Sequence, residues 1–109
     1  MDTTNATVTD TLNITLSLNG TSAVMQVELF GAVVPNTVAN FKKLCLNTGI
    51  YTYHNSSKAK NYDNAKFYKI VAGFFAIGGD IVKNDGTGGE ANDGMLLKDE
   101  NFILKVKYL

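Results

Sequence analysis

Phe67-Tyr68-Lys69-Ile70-Val71-Ala72-Gly73-Phe74-Phe75-Ala76-Ile77-Gly78-Gly79-Asp80, followed shortly by Asp85-Gly86-Thr87-Gly88-Gly89, is the stretch on which the fold turns. The first part is an apolar run rich in aromatic and β-branched residues. Such residues favour strands, so the run reads as buried strand or barrel wall. It ends in a glycine pair, and a second glycine cluster follows. Glycine lets the backbone take positive φ or approach other atoms closely, so both clusters mark tight turns or close contacts.

Working toward the N-terminus, Leu12, Ile14, Leu16 and Leu18 alternate with polar residues, the period of a strand with one buried face. Asn19-Gly20 supplies the two positive-φ residues of a tight hairpin turn. Ala23, Met25, Val27 and Leu29 repeat the alternation, giving the returning strand. Pro35 suits the first turn of a helix, where a missing N–H costs nothing. Val38, Phe41, Leu44 and Cys45 then recur at helical spacing, and Gly49 is placed to stop the helix. Residues 50–66 are polar and read as a long surface loop. Asp80 to Asn92 is a glycine-bearing loop in which Asp80 is expected to satisfy loop amides. Met95 to Leu97 and Phe102 to Tyr108 read as two further short strands.

The order Phe67 to Asp80 closely resembles the segment Phe-His-Arg-(Val/Ile)-Ile-Pro-Gly-Phe-Met-x-Gln-Gly-Gly-Asp of the cyclophilins, the peptidyl-prolyl isomerases, and Gly86 to Gly89 is similar to their Gly-Thr-Gly-Gly. Val27-Glu28-Leu29-Phe30 with Val34-Pro35-Asn36-Thr37-Val38-Ala39-Asn40-Phe41 looks like the family's strand-to-helix passage. Asp99-Glu100-Asn101-Phe102-Ile103-Leu104-Lys105 is similar to its Asp-Glu-Asn-Phe-x-Leu-Lys. These ordered blocks span Leu12 to Lys105. They correspond to about the first two-thirds of a typical member. The resemblance implies a mainly-β chain, an incomplete cyclophilin-like barrel with one helix near residues 35-48. Residues 1-10 are expected to be a flexible N-terminal tail, and 11-109 a partial cyclophilin-like domain. The missing strands would leave an open sheet edge, through which self-association is an expected option.

Prolyl isomerisation needs neither nucleophile nor metal. Its obstacle is the torsional barrier of about 18–20 kcal/mol set by amide resonance. An apolar pocket holds the proline ring, and a preorganised donor hydrogen-bonds the amide as resonance is lost. The resemblance places Lys69 at the family's catalytic Arg. Lysine keeps the charge but lacks the planar donor fork. Phe74 matches the pocket Phe, and Phe75 stands where the family has Met. Ile77 replaces the Gln that orients donor and peptide, Tyr68 the His and Ala72 the Pro. Gly86 and Thr87 fall in the loop bordering the pocket. Lys69 is thus the candidate catalytic residue, and Phe74, Phe75, Ile77, Gly86 and Thr87 the candidate substrate-binding residues. The implied partners are Xaa-Pro segments of proteins, and the cyclic peptide inhibitors that bind the family. The expected function is an isomerase assisting protein folding, with weak or impaired turnover. Two alternatives stay open: a non-catalytic module that binds proline peptides, and a non-functional fragment of a longer cyclophilin.

Other chemistries are poorly served. The ten basic residues are all lysine and balance ten acidic ones, so no electrostatic capture of nucleic acid or anionic membrane is expected. Tyr51, Tyr53 and Tyr62 near Lys58, Lys60 and Lys66 are a weak sign of base stacking. No run approaches the roughly 18 apolar residues of a membrane span. Residues 1–11 lack the basic and apolar regions of a secretory signal. With the lone cysteine, Cys45, this points to the cytoplasm and an inert core thiol. The sequons at Asn5, Asn13, Asn19 and Asn55 then carry no role. Gly73 to Gly79 is not followed by the Lys-Ser/Thr of a phosphate-binding loop. His54 is the sole histidine, and Asp80, Asp85 and Glu90 do not fit a calcium loop, so no metal and no cofactor is expected.

Overall fold

The structure is a computed structural model of the whole chain, and it describes residues 6–46, 61–63, 65–91 and 95–106. Gly49, His54 and the centre of the 50–66 loop lie outside the described residues, as do 1–5 of the expected tail. The element order is β1 (Asp10–Leu18), β2 (Thr21–Leu29), α1 (Pro35–Cys45), β3 (Phe67–Val71) and β4 (Phe75–Gly78). The chain groups into two compact units, Met1–Ala39 with Asp99–Leu109, and Asn40–Lys98.

In the first unit β1 and β2 form an antiparallel pair whose register runs unbroken from Leu18↔Thr21 to Asp10↔Leu29. The turn is the expected Asn19-Gly20, with φ of 50° and 81°. Such paired positive φ values match the twist of the flanking strands. Directly opposed residues share a face. Leu12, Ile14 and Leu16 therefore line one face with Val27, Met25 and Ala23, while Asn13, Thr15 and Ser17 face outward with Gln26, Val24 and Ser22. Pairing continues past β1, where the Thr9 N–H donates to the Leu29 carbonyl at 2.9 Å. Gly31 donates to the Thr9 hydroxyl at 2.7 Å, and a Cβ on Gly31 would stand 2.6 Å from that oxygen.

Helix α1 begins at Pro35 as expected. The residue before it, Val34, has no side-chain acceptor, so an ordinary N-cap is impossible. The acceptor comes from far along the chain. Glu100 receives the Asn36 N–H at 3.0 Å, the Thr37 N–H at 2.8 Å and the Thr37 hydroxyl at 2.9 Å. Asn101 donates to the Val33 carbonyl at 2.8 Å. Residues 95–106 contain no strand among those described, against the expectation of two at Met95 to Leu97 and Phe102 to Tyr108. Asn101 Oδ1 also accepts the Ile103 N–H at 3.1 Å. Loss of water pushes the Glu100 carboxyl up, but the N–H groups of Thr37 and Asn36 and the Thr37 hydroxyl outweigh it, and Glu100 titrates below its ordinary value.

In the second unit Leu44 is the most deeply buried side chain, at 2% exposure, and the Phe41 ring meets Tyr62 with centroids 5.6 Å apart. Burial pushes the Cys45 thiol up, which keeps it protonated and unreactive at neutral pH. Strands β3 and β4 form a second antiparallel pair. The Phe74 N–H closes their connection on the Val71 carbonyl at 2.9 Å, with Gly73 at φ 73°. The apolar run was expected to be buried. Instead Phe67, Tyr68, Ile70, Val71 and Ile77 are all exposed, and Phe74 is 81% exposed. A two-stranded hairpin has two faces and two edges, and its side chains are buried only where a further layer covers them.

The loop after β4 is organised by Asp80, which is 5% exposed. Its Oδ1 accepts the Val82 and Lys83 N–H groups at 3.0 and 2.9 Å; its Oδ2 accepts those of Asp85, Gly86 and Gly88 at 3.3, 3.0 and 3.0 Å. The expectation that Asp80 satisfies loop amides is met. The Lys83 N–H foremost, and those of Gly88, Val82 and Asp85, hold the Asp80 carboxyl far below the usual carboxylate range, with burial opposing them.

Both carboxyls titrate lower in the folded chain than in the unfolded one. The unfolded chain therefore binds more protons in acid, and the stability they contribute is whole above roughly pH 4.5 and is lost as pH falls below it. The melting midpoint should drop in acid, and Asp80→Asn should lower it at neutral pH while flattening its dependence between pH 5 and 3. Glu100→Ala should raise amide exchange at Asn36 and Thr37 several-fold, read by hydrogen exchange. Gly20→Ala meets open space and suffers only its φ of 81°, a cost of about 1 kcal/mol. Gly86→Ala combines a φ of 89° with a Cβ 2.8 Å from the Tyr68 ring, and should cost more, about 1–3 kcal/mol. Adding Tyr68→Ala should recover the steric part in a denaturation double-mutant cycle.

Candidate functional site

The β3–β4 ladder decides which side chains share a surface. Lys69 lies opposite Ile77, and Val71 opposite Phe75. Opposed residues of an antiparallel pair project to the same side, so Lys69, Val71, Phe75 and Ile77 form one face of the hairpin. The Lys69 ammonium stands 5.9 Å from the centroid of the Phe75 ring. A cation at that distance is drawn to the ring's negative face, by about 0.5–1 kcal/mol at an exposed site. Phe74 meets Phe75 edge-on, with centroids 4.9 Å apart and planes at 71°. Four of the six candidate residues, Lys69, Phe74, Phe75 and Ile77, are thus brought together. The cluster is open: Lys69 and Phe74 are exposed, and Phe75 is half-buried.

The other two candidates are placed differently. Thr87 turns inward on its own loop: its N–H and hydroxyl both donate to Asp85 Oδ1, at 2.9 and 2.6 Å. Gly86 is pressed against Tyr68, whose ring atoms lie 2.8 Å from where a Cβ would stand. The glycine loop thus lies against β3 at Tyr68.

Tyr68 is the positioning residue that sequence reasoning missed. The register slips between Phe67↔Gly78 and Lys69↔Ile77, so two steps on β3 oppose one on β4 and Tyr68 is the extra residue. A bulge of this kind re-aims a side chain. Here it accompanies an aromatic ring set against Gly86 from the residue next to Lys69. Only the aromatic character of position 68 and the glycine at 86 were visible beforehand. Gly78 completes the arrangement, since a Cβ there would stand 3.0 Å from the Phe67 ring and from the Lys66 carbonyl.

Chemically, the face with Phe74 beside it offers a cation, two aromatic rings and the aliphatic side chains of Val71 and Ile77. That set suits a substrate with an apolar ring beside an amide: the rings offer apolar contact, and the ammonium is a charge-assisted donor. Among the described residues no three His, Cys, Asp or Glu side chains are grouped to hold a metal ion. No helix among them is long and apolar enough to cross a membrane.

No solved structure matches the chain. The family model "Cyclophilin type peptidyl-prolyl cis-trans isomerase/CLD" matches residues 13–107. The sequence blocks, the hairpin–helix–hairpin order and the loop glycines agree with that match across nearly the whole chain, which therefore belongs to the cyclophilin-type peptidyl-prolyl cis-trans isomerase family.

Proposed function

We propose that the exposed face of the β3–β4 hairpin is where this cyclophilin-type isomerase engages an Xaa-Pro segment, with Lys69 as the donor to the amide and Phe74, Phe75 and Ile77 as apolar contacts for the proline ring. The observation that carries this is the Lys69 ammonium held 5.9 Å from the Phe75 ring centroid, beside the edge-on ring of Phe74. It sets a cation next to the apolar surface on which the ring would rest.

The chemistry involves no covalent step. In the planar ground state the nitrogen lone pair is delocalised into the carbonyl. At the twisted transition state it returns to nitrogen, which becomes a better acceptor. The Lys69 N–H groups stabilise that localised pair more than the ground state, and only such a difference accelerates the reaction. Tyr68 and the loop carrying Gly86 and Thr87 border the substrate and fix the position of β3.

Turnover is proposed to be weak. Lysine is a point donor on a flexible stem, and Ile77, opposite Lys69, has no polar atom with which to orient it. The same substitutions favour a second reading, in which the face binds proline peptides without isomerising them. Cyclic peptide inhibitors would compete for this face. The proposed compartment is the cytoplasm, a reading supported by the single cysteine, which can form no internal disulfide.

Exchange spectroscopy on an Xaa-Pro peptide tests these roles. The chain should accelerate cis–trans exchange, and Lys69→Met should cut the acceleration by about 10²-fold, as loss of one transition-state donor does. Lys69→Arg, alone or with Ile77→Gln, should raise it. Shifts of the Phe74 and Phe75 resonances with no gain in exchange rate would establish binding without turnover. No shift and no acceleration would defeat the site assignment.

A further inference from the structure

The turn joining β1 to β2 is Asn19-Gly20, the only place in the chain where an asparagine precedes a glycine. Both residues are exposed. The ladder starts at Leu18↔Thr21, so the Gly20 N–H lies outside it. A Cβ on Gly20 would meet nothing within 4 Å, so nothing packs on the turn from that side. Among the described residues no partner holds the Asn19 side-chain amide or the Gly20 N–H.

These are the conditions under which an asparagine closes on its own backbone. The nitrogen of the following residue is the nucleophile, and the side-chain Cγ is the electrophile. A side chain on the following residue crowds that nitrogen, and glycine has none. The nitrogen attacks after losing its proton to base, which an N–H open to water does far faster than a hydrogen-bonded one. Every other described asparagine precedes a residue with a side chain, and several are also held by hydrogen bonds. The Thr37 N–H after Asn36 is taken by Glu100 at 2.8 Å, and the Tyr62 N–H after Asn61 by the Leu44 carbonyl at 3.0 Å. Asn84 and Asn101 give their side-chain oxygens to the Lys66 and Ile103 N–H groups, at 2.8 and 3.1 Å. Among the described residues the related acidic pair, Asp85-Gly86, is held at both ends. Asp80 Oδ2 takes the Gly86 N–H at 3.0 Å, and Asp85 Oδ1 takes the N–H and hydroxyl of Thr87.

We propose that Asn19 is a modification site, at which the chain deamidates itself through a cyclic imide. The Gly20 nitrogen bonds to Asn19 Cγ, the Cγ–Nδ2 bond breaks, and Nδ2 leaves as ammonia, taking up the proton that the Gly20 nitrogen released. Water then opens the imide at either carbonyl. Attack at Cγ restores the ordinary backbone and leaves aspartate. Attack at the backbone carbonyl leaves isoaspartate, with the chain running on to Gly20 through Cβ and Cγ. No oxidant or reductant takes part. In a turn of this kind the Asn19 ψ sets the Gly20 nitrogen away from Cβ, so ring closure waits on its rotation. An exposed turn at the end of a two-stranded hairpin opens at small cost. Isoaspartate adds one backbone atom to a two-residue turn, which then no longer matches the twist of β1 and β2. Either product adds a carboxylate, so ten acidic groups plus one face ten basic ones.

The test uses the full chain, incubated in neutral and in mildly alkaline buffer, then digested and mapped by mass spectrometry with fragmentation to locate the site. Asn19 should gain the mass of an acid in place of an amide before any other described asparagine, and faster in the alkaline buffer. The product should separate into aspartyl and isoaspartyl forms. Isoaspartate arises only through the imide, whereas direct hydrolysis of the amide gives aspartate alone. Gly20→Ala strains the turn at φ 81° and would speed a reaction limited by turn opening alone. Its Cβ should instead slow conversion several-fold by crowding the nitrogen. In the isoaspartyl form, amide exchange at Leu18 and Thr21 should rise several-fold. Aspartate without isoaspartate, earlier conversion at another described asparagine, an Asn19 that stays intact, or equal or faster conversion in Gly20→Ala would each overturn the proposal.

Discussion

The carboxylate of Asp80 gathers the backbone N–H groups of Val82, Lys83, Asp85, Gly86 and Gly88 onto its two oxygens. Most of what surrounds the candidate site follows from that. Buried N–H groups without a partner are costly, and a loop this rich in glycine has little side-chain packing to hold it. One ionised side chain satisfies the donors and fixes the loop's path. A Cβ on Gly88 would stand 2.9 Å from Asp80 Oδ1, so the closeness of the backbone depends on glycine there. Gly86, bound to the same carboxylate, is thereby delivered to the Tyr68 ring, which flanks Lys69 on β3.

The first unit uses the same device for another purpose. Glu100 accepts the N–H groups at the start of α1, where Val34 cannot cap and the helix dipole favours negative charge. Both carboxylates are ionised at neutral pH and both hold backbone donors, so the two compact units share a sensitivity to acid. In the proposed function neither acts on substrate, and the donor role falls to Lys69, which is exposed and lies 5.9 Å from the Phe75 ring centroid.

The hairpins carry more apolar surface than they bury. Buried hydrophobic side chains among the described residues are Val38, Leu44 and Ala91. Ile70 on β3 and Phe74 in the turn after it lie open, in a run whose sequence reads as interior. On β3 and β4 that openness is what makes a surface for an apolar proline ring available. That exposed strand surface is where binding of a proline peptide is proposed.

Features set by neighbouring residues were legible in the chain. Asn19-Gly20 announced a positive-φ turn, alternation placed β1 and β2, Pro35 started the helix, and ordered blocks gave the family. The grouping of Lys69, Phe74, Phe75 and Ile77 was also readable, because it needs only a short hairpin. Exposure of the apolar run was not, since burial depends on what covers a strand and not on the strand itself. The strands expected at Met95 to Leu97 and Phe102 to Tyr108 do not form among the described residues. Between them, Glu100 and Asn101 bond to a helix start more than sixty residues earlier, a pairing that local pattern cannot show. The Tyr68 bulge and its contact with Gly86 likewise needed the folded loop. The sequence by itself determined the local turns, the helix start, the strand periodicity and the family, because these rest on φ preferences and spacing within a few residues. Only the tertiary structure decided where each polar group found its partner and which apolar faces remained open, because those depend on residues that meet only after the chain has folded.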